Sequence, residues 1–340
     1  MLSNYLIDPK DFEEEKNIGS GNFSNVMLVH SKKKPKNKYA VKSMQLDDEE
    51  NQKYFLREIS IMSSVRHPTL LKMKGFSIPN KKDPVCRIYT EFMSNGTLLD
   101  ILKVDQNQFK ESNKVLGPTE KSKIIYGIVA GMAYLHKENI IHRDLKPENI
   151  FLDNNYEPVI SDFGLSRFTE NDVSVTRNLG TPYFMAPEMF ESTDDIPVTE
   201  KIDVYAFALV LYALFDIHYV FEKNSPRSIG QLYLHIKKGM RYVIPANTPK
   251  YFEDLIRKCW SNDIKQRPSF QEILDDFDEN ENYILPGANR EDVLDYVDYI
   301  KSSERDLEKL NKSISSEFEV HQDFDFDNQE IQNTEEFDFL

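Results

Sequence analysis

The stretch that decides the fold is His142-Arg143-Asp144-Leu145-Lys146-Pro147-Glu148-Asn149, followed closely by Asp162-Phe163-Gly164. Transfer of a phosphoryl group requires an acceptor that orients the attacking hydroxyl, and metal ions that neutralise charge on the transferred oxygens. Asp144 suits the first role, whereas Asn149 and Asp162 offer the hard oxygen ligands that Mg²⁺ prefers. Each motif alone is also compatible with an ordinary charged loop or turn. The prediction therefore rests on their order and spacing taken together.

Composition separates a nearly neutral body from an acidic tail. The 340 residues, 40% of them hydrophobic, are enough for two lobes with a core each. The formal charge of −15 is unevenly distributed, because residues 278–340 hold 19 acidic and 5 basic side chains and residues 1–277 hold 38 and 37. The body therefore lacks the clustered basic excess of a nucleic-acid surface, and we expect no nucleic-acid partner. The acidity belongs to the tail.

Cysteine usage indicates a reducing compartment, and we expect a cytoplasmic location. Cys86 and Cys259 have neither a disulfide framework nor metal-ligand spacing, so we expect both to be small buried hydrophobes. The first residues lack the pattern of a signal peptide. The longest apolar stretch, from Ala206 to Phe215, is too short for a membrane span and predicts a buried helix. The basic run from Lys32 to Lys36 favours a solvated hairpin turn over a targeting signal.

Two regions of different secondary structure follow one another along the chain. From Phe12 to Met93 short β-prone runs are interrupted by one helical pattern, over about residues 51–64. From Ser94 to Phe277 helical patterns dominate, over about residues 120–137, 203–215, 229–238 and 250–261. A small β-rich lobe (about 12–93) thus precedes a larger, mainly helical lobe (about 94–277). This order predicts an α+β fold rather than a doubly wound parallel sheet.

The tail, residues 278–340, contains two patterns. Val293, Val297, Ile300 and Leu307 are spaced by three, four or seven residues, which predicts one helix over about residues 291–313. Residues 316–340 have no Lys or Arg and alternate acids with Phe. Such a composition cannot bury enough apolar surface to offset the entropy of ordering, so we expect the tail outside the helix to be disordered.

A glycine-rich turn and a possible ion pair lie in the first lobe. In Gly19-Ser20-Gly21-Asn22-Phe23-Ser24-Asn25-Val26 the missing side chains would let backbone N–H groups approach phosphate oxygens, although two glycines also suit an ordinary β-turn. Lys42 follows on a neighbouring predicted strand, and Glu58 lies on the predicted helix. A buried Lys–Glu pair is costly, which favours a functional role for these two residues.

Taken in order, these motifs resemble a eukaryotic protein kinase over residues 12–277, and the resemblance implies the two-lobed protein kinase fold. The elements that carry it are the glycine-rich loop, Val41-Lys42, Glu58, the Asp144 loop, Asp162-Phe163-Gly164, Ala186-Pro187-Glu188, Asp203 and Arg267. By resemblance Glu188 would pair with Arg267, and Asp203 would brace the backbone of the His142–Asp144 loop.

The same resemblance implies ATP as substrate, Mg²⁺ as metal, and a role for each site residue. Lys42 would contact the α- and β-phosphates and pair with Glu58, Asp144 would orient the substrate hydroxyl, and Lys146 would touch the γ-phosphate. Asn149 and Asp162 would bind the magnesium ions. The remaining nucleotide contacts would come from Gly19, Ser20, Gly21, Asn22, Phe23, Ser24, Val26, Ala40, Thr90, Glu91, Met93 and Phe151.

Further details resemble serine/threonine kinases, and within them the tyrosine-kinase-like group. Tyrosine kinases usually differ at two positions of this sequence. These are Lys146, two residues after Asp144, and Thr181, which precedes Ala-Pro-Glu. The group resemblance is carried by Asp203-Val204-Tyr205, Cys259-Trp260 and Gln266-Arg267-Pro268-Ser269-Phe270. Ala208 departs from the family, which usually carries glycine there, and we expect an effect on helix packing only.

Two other functions compete with this interpretation. A kinase-fold scaffold without catalysis is the alternative, but every catalytic position carries the expected residue type. A nicotinamide-dependent oxidoreductase would need a helix and a third glycine after Gly19-x-Gly21, where a predicted strand and Ser24 follow. The expected partners are ATP and proteins with Ser or Thr acceptors in intracellular signalling, together with a possible docking partner for the acidic tail.

We expect the segment from Ser166 to Asn178 to be an activation switch, because it is rich in hydroxyls and Arg143 adjoins the catalytic Asp. A phosphate would add about −1.5 to −2 charges and could hold the segment against Arg143. The double variant Ser174→Ala, Thr176→Ala should therefore lose activity, and mass spectrometry of active enzyme should find phosphate at one of the two. Full activity of the double variant would exclude both residues as the switch.

Overall fold

The chain folds into a small β-rich lobe and a larger helical lobe, which confirms the predicted α+β class. The computed structural model describes residues 5–20, 24–45, 49–79, 83–107, 116–168, 182–190, 198–216 and 229–319. All structural statements below concern these residues. Thr169, Ser174, Thr176 and Thr181 lie outside them, as do Gly21, Asn22 and Phe23.

The first lobe is an antiparallel sheet of five strands in the order β1-β2-β3-β5-β4. Its strands are β1 (Phe12–Ser20), β2 (Ser24–Ser31), β3 (Lys38–Gln45), β4 (Met73–Ser77) and β5 (Val85–Glu91). Helix α1 (Glu49–Ser64) is the single helix predicted here. The basic run lies in the β2–β3 hairpin, where the N–H of Ser31 donates to the carbonyl of Asn37.

Successive side chains of β5 point to opposite faces of the sheet, as a strand requires. Cys86 and Ile88 are buried in the main core, which includes Phe55 and Ile59 of α1. Tyr89, which follows Ile88, joins a small cluster on the other face with Val29 and Val41. The sheet is therefore covered on the side of α1, and this covering fixes where α1 lies relative to β3.

The second lobe is built from helices around a fully buried one. Its helices are α2 (Leu98–Asn107), α3 (Pro118–Lys137), α4 (Lys201–Phe215), α5 (Ile229–Lys237), α6 (Lys250–Cys259), α7 (Phe270–Asn280) and α8 (Arg290–Glu319). Every residue of α4 from Ile202 to Leu214 is buried, in agreement with the apolar run of the sequence. Ala208 is fully buried there. No helix in the described part of the chain is both long and apolar enough to cross a lipid bilayer.

Two short two-stranded sheets position the segments between the helices. They are formed by β6 (Ile140–Ile141) with β9 (Arg167–Phe168), and by β7 (Ile150–Leu152) with β8 (Pro158–Ile160). The His142–Asn149 stretch runs from the end of β6 to the start of β7, and Asp162 follows the end of β8. The two halves of the deciding motif are therefore brought together by strand pairing.

The first part of the acidic tail packs on the second lobe, which differs from the expectation of disorder outside one helix. The predicted helix over 291–313 is α8, and it extends to Glu319. Residues 281–289 are ordered: Tyr283 and Leu285 are buried, and the N–H of Leu285 donates to the hydroxyl of Ser122 at 2.9 Å. Burial of these two side chains offsets the conformational entropy that residues 281–289 lose on ordering. The average composition of the tail did not reveal this contribution. Residues 320–340 lie outside the described residues.

We predict that Ile300→Ala lowers the free energy of unfolding by about 2–4 kcal/mol, because Ile300 on α8 is 1% exposed and truncation leaves a cavity. Tyr299→Ala is the matched control, since its neighbouring side chain is 54% exposed. It should change the free energy by less than about 0.5 kcal/mol. Urea unfolding of both variants measures the difference, and equal stabilities would show that α8 does not pack on the body.

Candidate active site

A buried carboxylate shapes the loop that carries Asp144. Asp203 of α4 accepts hydrogen bonds from the backbone N–H groups of His142 and Arg143, each at 2.8 Å, and its Oδ2 lies 2.9 Å from Nε2 of His136. Burial alone would raise the pKa of Asp203, but the hydrogen bond and charge of His136, with those of His142, outweigh burial and lower it. The loop backbone is therefore tied to an ionised group in the core.

This anchorage accompanies an unusual backbone conformation. Arg143 has φ 70°, in the left-handed region that costs a non-glycine residue on the order of 1–3 kcal/mol. His142 is buried and its Nε2 lies 3.0 Å from the carbonyl oxygen of Ser161, just before Asp162. The left-handed turn thus redirects the chain immediately before Asp144.

Asp144 lies at the centre of a small polar cluster. Nζ of Lys146 is 2.6 Å from Oδ2 of Asp144. The side-chain amide of Asn149 donates to the carbonyl oxygen of Asp144 at 2.8 Å and to Oδ2 at 2.9 Å. Both atoms can only accept, so the amide nitrogen of Asn149 must face them and its oxygen is turned away. The structure therefore brings together Asp144, Lys146 and Asn149.

A second array joins the two lobes. Nζ of Lys42 on β3 lies 2.9 Å from both carboxylate oxygens of Glu58 on α1, and 3.1 Å from Oδ1 of Asp162. Burial disfavours the ammonium of Lys42, but the charges of Glu58 and Asp162 outweigh it and raise the pKa of Lys42. The positive charge of Lys42 in turn lowers the pKa of Asp162. Lys42 therefore stays protonated beside two carboxylates.

The backbone at Asp162 directs its side chain toward this array. Asp162 has φ 64°, while the next residue, Phe163, is fully buried with its ring 5.6 Å from that of His142. The side chain of Asp162 keeps 45% of its surface exposed. Its carboxylate is thus held by Lys42 on one side and remains open to a ligand.

The remaining predicted nucleotide contacts lie on the sheet and on the segment after it. In the strand register Gly19 opposes Val26, Val26 opposes Lys42, and Ala40 opposes Thr90. The backbone of Ser20 and Ser24 ends β1 and begins β2. These positions therefore follow one another from the glycine-rich turn to the end of β5.

Four more predicted contacts lie at or after β5. Thr90 is buried, and its hydroxyl donates to the carbonyl of Ala40 at 3.4 Å. The side chain of Glu91 pairs with Lys74. The carbonyl of Met93 accepts from the N–H of Gly96, and Phe151 of β7 bridges to Thr97 beside it. The segment after Glu91 therefore lies beside β7, which begins directly after Asn149.

Glu188 and Arg267 form a buried, bidentate ion pair. The two guanidinium nitrogens lie 2.5 and 2.9 Å from the two carboxylate oxygens, and Arg267 is 1% exposed. The guanidinium also lies 5.1 Å from the ring centroid of Tyr205. The pairing expected for these residues is present, and it ties the segment after residue 182 to the segment between α6 and α7.

Sequence reasoning missed two contributions to the site. His136 on α3 bonds the loop anchor Asp203, but it belongs to no motif and its partner is 67 residues away. Ser166 was counted among the hydroxyls of the activation segment. It is instead fully buried, and its hydroxyl donates to the carbonyl of His142 at 3.1 Å. Both cysteines are buried, and burial raises the pKa of each thiol to about 12.

Comparison with known proteins assigns the family. The model of the protein kinase domain matches residues 12–277. The chain belongs to the protein kinase family. This confirms the resemblance inferred from the motifs and identifies the fold as the two-lobed protein kinase fold.

Curated relatives carry kinase names. A probable serine/threonine-protein kinase of Dictyostelium discoideum is 33% identical over 79% of this chain and 19% of its own length. Serine/threonine-protein kinase STY46 of Arabidopsis thaliana is 35% identical over 68% of this chain and 38% of its own. The dual specificity protein kinase pyk3 of Dictyostelium discoideum is 32% identical over 76% and 18%. The chain spans less than two fifths of the length of these relatives.

We predict that Asp203→Asn lowers the free energy of unfolding by about 2–3 kcal/mol at neutral pH, because an amide cannot accept from all three donors. The pKa of Asp203 is depressed, so its contribution is present above the unfolded pKa near 4 and is lost as pH falls below it. The gap between wild type and variant should therefore be present at neutral pH and shrink in acid. Urea unfolding across pH measures the gap, and the exposed Asp298→Asn is the control. A gap that widens in acid would contradict the prediction.

Proposed function

We propose that this chain is an ATP- and Mg²⁺-dependent protein kinase that transfers the γ-phosphate of ATP to Ser and Thr hydroxyls of proteins. The observation that carries the proposal is the contact of Lys42 with both Glu58 and Asp162. Asp162 directly follows Ser161, whose backbone N–H donates to the carbonyl of Asn149 at 2.8 Å, and Asn149 in turn bonds Asp144. Catalysis of phosphoryl transfer consists largely of positioning and charge stabilisation, and these side chains supply both. Residues 12–277 would form the catalytic domain.

Lys42 would hold the α- and β-phosphates of the nucleotide. Its ammonium is held by the carboxylate of Glu58, which is only 4% exposed. This contact fixes the position of the ammonium. A phosphate would approach along β1 and β2 toward the glycine-rich turn of the sequence, whose backbone N–H groups would donate to its oxygens. The base would lie against Val26, Ala40, Thr90 and the backbone after it, and Phe151 would lie on the side of the second lobe.

The residues present fit Mg²⁺. Asp162 offers a partly exposed carboxylate, and the oxygen of Asn149 is turned away from Asp144. Mg²⁺ binds through one or two protein oxygens and completes its shell with waters and substrate phosphates. The ion would neutralise charge that develops on the transferred group. The lowered pKa of Asp162 keeps this ligand ionised at neutral pH.

Asp144 would orient the attacking hydroxyl and accept its proton. Its carboxylate is 7% exposed and is held by Lys146 and Asn149, so it has a fixed direction. Lys146 would stabilise the negative charge on the γ-phosphoryl oxygens as this group moves from the leaving ADP to the acceptor oxygen. The names of two relatives favour Ser and Thr as acceptors, and the name of a third makes tyrosine the alternative to test. A signalling role and a cytoplasmic location complete the proposal.

Asp144→Asn should reduce phosphate transfer by about 10²–10⁴-fold, because the variant lacks the acceptor for the hydroxyl proton. Affinity for ATP should remain nearly unchanged, since Asp144 makes no proposed nucleotide contact. Autophosphorylation with radiolabelled ATP and Mg²⁺ gives the rate, and a fluorescent nucleotide analogue gives the affinity. Asp298→Asn is the exposed control.

Two outcomes would contradict the proposal. A wild-type chain that transfers no phosphate with Mg²⁺ and a generic protein substrate would be a scaffold. Wild-type rates for Asp144→Asn would remove Asp144 from its role. Phosphoamino-acid analysis of the product then decides the acceptor, and phosphotyrosine alone would overturn the assignment to Ser and Thr.

A further inference from the structure

A contact outside the site links the appended helix α8 to the segment that follows α1. Residues 65–69 lead from α1, which carries Glu58, toward β4. Oε1 of Glu304 on α8 lies 2.9 Å from Nε2 of His67 in this segment. The side chain of His67 has no exposed surface, whereas that of Glu304 is 31% exposed. A residue beyond the family boundary at 277 therefore bonds a buried group of the first lobe.

The hydrogen bonds around His67 fix which nitrogen carries its proton. The backbone N–H of Thr69 points to Nδ1 at 3.2 Å, and the Thr69 hydroxyl lies 2.8 Å from the same atom. A backbone N–H can only donate, so Nδ1 is an acceptor and the neutral ring carries its proton on Nε2. This N–H is donated to Glu304. The bond is charge-assisted, and such bonds are stronger than neutral ones.

The first turns of α8, which precede Glu304, are packed in the core. Val293, Tyr296, Val297 and Ile300 of α8 are all buried. Ile300 and Glu304 are four residues apart and therefore share one face of the helix. The buried first turns of α8 thus set the position of the Glu304 carboxylate.

The segment that receives the bond is continuous with α1. The N–H of Val65 donates to the carbonyl of Ile61 at 3.0 Å, which carries the helical hydrogen bonding to within two residues of His67. On its other side the segment rests on α3, where the N–H of Arg66 donates to the hydroxyl of Tyr134 and the His67 ring stacks on the Tyr134 ring. A shift of this segment would move the end of α1, and a packed helix moves as a body.

We propose that Glu304 is a positioning residue for phosphate transfer. By holding His67, it fixes the end of α1 and so keeps Glu58 against Lys42. The inference rests on the proposed function, in which Lys42 holds the nucleotide phosphates. Glu304 thereby acts on the reaction through His67 and α1, without itself contacting the reacting groups.

Three variants on one helix test the proposal. Glu304→Ala removes the acceptor, and Glu304→Gln keeps an oxygen that can accept from Nε2. Glu308→Ala is the matched control, because Glu308 lies one turn further along the same helix and pairs with the exposed Lys137 at 2.7 Å. We expect kcat to fall about five- to tenfold in Glu304→Ala, the equivalent of one hydrogen bond. Glu304→Gln should recover most of this loss, and Glu308→Ala should match wild type.

Hydrogen exchange supplies a readout that does not depend on activity. Amides of α1 and residues 65–69 should exchange faster in Glu304→Ala than in Glu308→Ala, while the buried amides of α3 should be unchanged. Equal exchange and equal kcat in these two variants would overturn the proposal, as would a uniform increase that includes α3. If the wild-type chain transferred no phosphate, the proposed function would fail, and exchange at α1 alone would decide the positioning role.

Discussion

The buried charge of Asp203 is the constraint on which the rest of the site depends. A carboxylate in a protein core is tolerated only when its oxygens are satisfied, and here the donors are two successive loop amides and His136. Where these loop amides meet the carboxylate, the chain has a left-handed conformation at Arg143. This turn comes directly before Asp144. The need to satisfy the buried carboxylate of Asp203 therefore helps to determine the backbone conformation of the loop that carries Asp144.

Charge also connects the lobes. Lys42, Glu58 and Asp162 come from a strand, a helix and a loop that are far apart in sequence, and they meet within 3.1 Å. Removing Lys42 would take from the buried carboxylate of Glu58 the cation that it contacts in this array. The array therefore selects one relation between the sheet, α1 and the segment after β8. Contacts at the C-terminal end of α1 can influence this relation, because the same helix carries Glu58.

The fold class could be predicted because β-prone patterns precede helical ones along the chain. The Lys42–Glu58 pair could be predicted because reaction chemistry restricts the residue types at these positions. The sequence could not predict His136, whose partner Asp203 is distant in the chain. It also assigned residues 281–289 to disorder, because an average over many acids hides single apolar side chains such as Tyr283 and Leu285. The burial of Ser166 could not be predicted either, because the identity of a residue does not reveal its tertiary contacts.

The packing of the tail onto α3 has a consequence for where the chain can be cut. The ring of Tyr126 on α3 lies 4.9 Å from that of Tyr283, and its hydroxyl donates to Asp278. A fragment that stopped at the family boundary, residue 277, would leave this ring and the α3 surface at Gly127, which Tyr296 covers, open to water. Contiguous apolar surface of this kind promotes self-association. A well-behaved catalytic fragment should therefore retain α8 through at least Ile300.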